Sequence, residues 1–154
     1  RLEVWCHTCW GNPLAQKVEA NYSYEPILPY LDQLDVDVVT FETADNDGAE
    51  LKAIASGIGK NKKICIGGVT HRTLQVESPH EVASLVRRAL EVIDPDRLLI
   101  SSDCGFGRQG MSRMHAFYKM VALVKGVNMV RKELSLDVAE APAALGRYDF
   151  LRKF

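Results

Sequence analysis

Four short apolar runs recur along the chain: Leu2 to His7, Val36 to Thr43 (VDVVTFET), Lys63 to Val69 (KICIGGV) and Leu98 to Ser102 (LLISS). They are nearly continuous rather than alternating, the pattern of strands covered on both faces in a parallel sheet. Helical patterns fill the gaps between them. Ser78, Pro79 and Glu81 supply an N-cap, an N1 proline and a capping-box acid, and Val82, Leu85, Val86, Ala89 and Ile93 form one stripe before Asp94 and Pro95 end it. Asp47 and Glu50 predict a similar start for a helix carrying Leu51, Ile54 and Ala55 and closed by Gly57 and Gly59. Met111 to Leu134 predicts the longest helix, with Met114, Phe117, Tyr118, Val121, Val124 and Met129 as its apolar side and Gly126 as a weak point. Gly11 to Leu34, interrupted by Pro26 and Pro29, holds two short helices or a loop and a helix. Four successive βα units imply right-handed crossovers and either a doubly wound sheet or half of a barrel.

The polar residues help to choose between these. His7 and Cys9, Glu42, and Cys104 fall at or just beyond the carboxyl ends of three strands, the face where both architectures place their chemistry. In a flat sheet of sequential order, donors from the first and fourth strands would lie about 10 to 15 Å apart. A barrel curves them together. His7 and Cys9, two apart on a strand, point to the same side, so one cation can reach both. Nitrogen and sulfur donors with one carboxylate suit Zn²⁺. Each residue also has a plainer reading: a lone cysteine is usually a small buried hydrophobe, and an acid ending a strand can cap a helix or pair with a base. Cys6, pointing opposite to His7, and mid-strand Cys65 read as packing residues. Asp103 could orient a ligand histidine or order its loop. His71 and Arg72 could grip an anionic substrate tail, with a solvated loop pair as the competing reading. Arg108 lies in the glycine-rich stretch Gly105 to Gly110, whose glycines could let the backbone approach an anion at the helix start or only make a turn. His80 and His115 fall in helical contexts, at the surface or in packing.

At 154 residues, with 47% hydrophobic and 25% charged residues and a net charge of -1, the chain is sized for one domain with a core. Nothing in that balance favours nucleic acid or a membrane surface. No apolar run is long enough to span a bilayer and no secretion signal is evident, so a cytoplasmic location is expected. Cys6, Cys9, Cys65 and Cys104 are then expected as reduced thiols, able to act as ligands.

The segments His7-Thr8-Cys9-Trp10-Gly11-Asn12, Asp37 to Glu42 and Ser102-Asp103-Cys104-Gly105-Phe106, in that order, closely resemble the zinc-binding signature of cobalamin-independent methionine synthases. The resemblance runs through Gly68-Val69, the Ser78 helix and Met120 to Arg131, as far as about Leu134. It implies a (βα)₈ barrel of the uroporphyrinogen decarboxylase type, of which this chain is the C-terminal half, strands five to eight. It also implies His7, Cys9, Glu42 and Cys104 as ligands of a catalytic zinc, with homocysteine as the thiol and methyl-folate as the donor. The chain departs from that family after Gly68-Val69, where an Asp and a His of the family give way to Thr70-His71-Arg72-Thr73. Ser102 replaces the usual proline before Asp-Cys-Gly. His71-Arg72 followed by Leu74-Gln75-Val76-Glu77, and Gly105-Phe106-Gly107-Arg108, look more like the short single-barrel relatives, among them the epoxyalkane:coenzyme M transferases, which attack an epoxide with a zinc-bound thiol.

A free alkyl thiol has a pKa near 8.5, so little of it is thiolate at neutral pH, and binding to Zn²⁺ deprotonates it. The expected chemistry is therefore zinc-assisted alkylation of a thiol, with a metal-free porphyrinogen-type decarboxylase and a non-catalytic structural zinc domain as alternatives. The chain opens on Arg1 within a strand pattern and reads as a piece of something longer. Residues 1–134 are expected to form the half barrel and 135–154 a tail with helical capacity, in which Tyr148, Phe150 and Phe154 could dock on a neighbour. Half of a barrel leaves strand edges unpaired, which predicts a missing N-terminal half or an oligomer.

Overall fold

The computed structural model describes residues 2–11, 23–107 and 110–142. Its four strands, β1 (Trp5–His7), β2 (Val38–Phe41), β3 (Lys63–Val69) and β4 (Leu98–Ser102), form one parallel sheet in sequential order. Among the described residues, helix α1 (Leu28–Asp32) precedes β2, α2 (Leu51–Gly57) precedes β3, α3 (Pro79–Leu90) precedes β4, and α4 (Arg113–Glu133) follows it. Sequential parallel order with a helix in each crossover is the arrangement of half a barrel.

Register divides the strands into two faces. Val39, Ile64 and Leu98 form one lateral row, and Phe41, Ile66 and Ile100 continue the same face, which packs under Leu28, Leu51, Ile54, Leu85 and Ala89 of the helices. The other face carries His7, Thr40, Cys65 and Leu99 in one row. A second cluster joins Val69 to Val82, Ala83 and Val86 of α3 and Leu123 and Val130 of α4.

The Ser78–Glu81 capping box is formed in both directions, with Pro79 opening α3. That helix ends at Leu90, so Ile93 reaches the core from the turn beyond it rather than from the helical stripe. Asp47 does not cap α2. It sits at φ 52° in the preceding turn and pairs with Arg88, while the Glu50 carboxylate turns back to Ser23 and the amide of Tyr24.

α4 is rotated from the expected phase. Its buried residues are Lys119, Ala122, Leu123, Gly126 and Val130, whereas Met114 is 61% exposed and Phe117 is also exposed. The cause is Gly126, where α4 crosses α3 so closely that an added Cβ would lie 2.6 Å from the carbonyl of Pro79 and from Cβ of Val82. What looked like a weak point is the crossing contact.

β1 and β2 are shorter than their apolar runs. Leu2 and Val4 are exposed and precede β1, although the Val4 carbonyl accepts from the amides of Asp37 and Val38. Beyond Phe41 the amides of Thr43, Ala44 and Asp45 turn to the Asp103 carboxylate instead of to a neighbouring strand. The tail from Ser135 leaves the helix and runs back along α4, where Ala139 exchanges both main-chain bonds with the Asn128 side chain. The chain through Ala141 is not helical. Tyr148, Phe150 and Phe154 lie outside the described residues, and no described helix is long and apolar enough to cross a membrane.

Candidate metal and thiol site

The sheet register places His7 beside Thr40, and the two side chains meet: His7 Nδ1 lies 2.8 Å from Thr40 Oγ1. With Nδ1 engaged there, Nε2 is the nitrogen left for a cation, as in metal sites whose histidines are oriented through the other ring nitrogen. Two residues further on, Cys9 and Glu42 follow at the carboxyl ends of β1 and β2. Cys104 follows β4 at the far side of the sheet.

β1 and β4 are the outermost strands, three strand spacings apart, or about 14 Å if the sheet were flat. Yet Cys9 Sγ and Cys104 Sγ are 3.9 Å apart. The loops lean inward over a curved mouth and bring His7, Cys9 and Cys104 together with ligand atoms all within 4.8 Å of one another. Two sulfurs bound tetrahedrally to one zinc ion would be about 3.8 Å apart, so this pair already stands at the spacing such an ion needs.

Glu42 is 2% exposed, and its two oxygens have different surroundings. Oε2 accepts a hydrogen bond of 2.8 Å from Arg72 Nη2, while Oε1 is buried with no hydrogen-bond donor among the described residues. The Glu42 amide donates to the hydroxyl of Tyr24, a buried ring packed against Trp10 and Phe41. Glu42, His71 and Cys104 form a second group of donors within 4.8 Å, so Cys104 borders both sets. The residue types fit Zn²⁺, with soft sulfur, imidazole and a carboxylate, although Glu42 is grouped at this spacing with Cys104 and His71 rather than with His7 and Cys9.

Burial, and then the adjacent Glu42 carboxylate, push the Cys9 thiol up to about 11. A bound divalent cation reverses that preference, because it stabilises the thiolate directly. Asp103 is pushed up to about 7 by burial, against the pull of its three backbone N–H bonds from Thr43, Ala44 and Asp45. Those bonds tie the loop after β2 to the Asp103 carboxylate.

His71 and Arg72 are not a solvated loop pair. His71 is 1% exposed and the Arg72 side chain 5%, because the loop after β3 folds back over the strand ends. Its base is pinned by Glu77, which accepts from the amide of Thr70 and from Lys119, a buried α4 lysine that also bonds the carbonyl of Gln75. The Arg72 guanidinium is directed at Glu42 and the carbonyl of Gly11, not outward to an anion. Arg108 lies outside the described residues. His80 is exposed and His115 packs on the Ser112 cap of α4.

Residues 19–126 match the family model for the catalytic domain of cobalamin-independent synthase. The chain belongs to that family. The cobalamin-independent synthase chain is 32% identical over 137 residues to a methionine synthase of Thermococcus kodakarensis, covering 89% of its own length and 36% of the relative's. It is 31% identical over 128 residues to a methionine synthase of Saccharolobus islandicus, covering 83% of itself and 34% of that protein. A B12-independent methionine synthase from Shewanella sp. W3-18-1, solved in complex with selenomethionine, superposes with a TM-score of 0.68 at 26% identity, over 86% of this chain and 40% of that one. The chain thus spans about a third of the curated relatives it matches, and its four βα units are a partial barrel half.

Sequence reasoning on this synthase chain missed Thr40, Tyr24 and Lys119. Thr40 had a signal, a lone hydroxyl inside an apolar strand. Lys119 had another, a charge three and four residues before Ala122 and Leu123 on what proves the buried face of α4.

Proposed function

We propose that this chain is the zinc-binding half of a barrel that methylates a thiol, with homocysteine as acceptor and 5-methyltetrahydropteroylglutamate as donor. The observation that carries the reading is the 3.9 Å approach of Cys9 and Cys104, from opposite edges of the sheet, beside His7. When bound by His7, Cys9, Cys104 and Glu42, Zn²⁺ would supply a means of keeping a substrate thiol ionised at neutral pH. Two cysteinates and one glutamate against a dication leave the site near a formal charge of -1, so a bound sulfur retains its electron density. Thr40 holds the His7 ring, and Asp103 holds the loop that carries Glu42. Cys9 is exposed, which leaves the cluster open to an incoming thiol as a purely structural zinc site would not be.

Methionine synthesis is favoured over epoxide opening by coenzyme M for two reasons. The Shewanella relative was solved with selenomethionine, the selenium counterpart of a methylated homocysteine. The anion grip that a sulfonate tail would need from Arg72 is occupied by Glu42. The other half of the barrel, which the relatives' length accommodates, would contribute the remaining homocysteine contacts. Free cysteines fit a reducing, cytoplasmic setting.

The test is metal analysis with X-ray absorption on the protein, followed by loss of free thiol with homocysteine and methyl-folate, run in parallel with coenzyme M and epoxides. One zinc per chain with mixed sulfur and nitrogen/oxygen scattering, and consumption of homocysteine, are expected. Full thiol alkylation after metal removal would sink the reading.

A further inference from the structure

The buried ion pair of Glu42 and Arg72 divides the carboxylate between two tasks. Their side chains are 1% and 5% exposed, Oε2 is bonded to Nη2 at 2.8 Å, and Oε1 carries no donor among the described residues. The same guanidinium donates to the carbonyl of Gly11 at 3.3 Å, and its Nε stands 3.6 Å from the carboxylate of Asp45. Arg72 therefore ties together the loops after β1, β2 and β3, two of which carry donors of the site. It lies in the segment where this chain departs from the Asp and His of its family's pattern.

Resting on the zinc reading above, we propose that Arg72 is a positioning residue that restricts Glu42 to one-oxygen ligation through Oε1 and moderates the hold of the site on its metal. A carboxylate with one oxygen in a charge-assisted bond has only the other to offer. Arg is charged at every relevant pH, so its charge-assisted bond to Glu42, with Asp45 alongside, is a fixed feature of the site. Its positive charge also opposes that of the ion, and removing it strengthens the attraction between the remaining donors and the metal.

Cobalt(II) titration of the protein tests this, with the thiolate charge-transfer band reporting sulfur ligation and the d–d bands reporting coordination number. R72M is expected to bind cobalt tighter by on the order of 10-fold and to show weaker d–d bands, as both oxygens of Glu42 reach the ion. R72K keeps the charge and is expected to hold affinity near that of the parent. In an E42Q background the R72M change in d–d intensity should vanish. If R72M does not fold, R72Q serves: it removes the charge while offering an amide to Oε2, so tighter binding with unchanged d–d intensity is expected. Equal or weaker binding by a folded R72M or R72Q, or the same band change persisting in the E42Q background, overturns the proposal. A parent protein that shows no thiolate–cobalt band at all overturns the zinc reading itself, an outcome distinct from a failure confined to the Arg72 variants.

Discussion

Gly67 is a glycine because Asp103 lies on top of it: a Cβ built at position 67 would fall 1.8 Å from Oδ1 of Asp103 and 2.7 Å from its backbone nitrogen. The contact coincides with the register shift between Gly67 and Val69, where β3 and β4 stop pairing residue for residue. Through it the Asp103 carboxylate reaches across β3 to the amides of Thr43, Ala44 and Asp45.

G67A should therefore expel Asp103 and release the loop that holds Glu42. A loss of about 2–4 kcal/mol is expected, since the Asp103 backbone as well as its hydrogen-bonded carboxylate is in the way. Denaturant melts, with zinc affinity measured alongside, check both consequences. D103N should reproduce the looser loop without the steric clash, because an amide NH₂ would face the N–H of Asp45. A G67A protein as stable as the parent would refute the account.

T40V keeps the shape of the strand and removes the hydroxyl from His7 Nδ1. Zinc binding is expected to weaken by about 10-fold or more, while thermal stability changes little, and T40S should recover most of it. Competition with a chromophoric chelator measures the difference.

C104A removes a donor shared by both candidate groups. It should weaken zinc binding by more than about 100-fold and abolish thiol alkylation, with far-UV circular dichroism unchanged because the side chain is only partly buried. C65A, at a buried cysteine outside the site, is the control: it should lower stability and leave zinc binding intact.

G126A reverses the usual rule. In an exposed helix interior alanine would gain about 1 kcal/mol over glycine. Here the new methyl would press on Pro79 and Val82, and a loss of about 1–3 kcal/mol is expected from thermal or urea unfolding.

Much of this fold is legible in the amino-acid sequence. β3 and β4 begin and end where their apolar runs do, and the Ser78 capping box is complete, because these are local patterns read by local rules. The facing of α4 was not legible. It depends on a helix crossing, and hydropathy ranks Met114 and Phe117 above Lys119, whose ammonium is satisfied by Glu77 and Gln75 from the far side of α3 and β4. The spacing of His7, Cys9 and Cys104 along the chain suggested a cluster, and the fold brings their ligand atoms within 4.8 Å of one another. The burial of Arg72 left no trace in the sequence, because its partners are Glu42 and Gly11, 30 and 61 residues away. Thr40 stood out as a hydroxyl in an apolar strand, but its partner His7 became visible only once β1 and β2 were placed in register.

The 3.9 Å gap between two sulfurs 95 positions apart has a mechanical meaning. An ion gripped there would act as a hasp across the first and last ribbons of the arc, so stripping it would let the arc relax outward from both sides at once. Metal occupancy and the sharpness of the unfolding transition should accordingly rise and fall together, with the melting temperature climbing with the logarithm of free zinc.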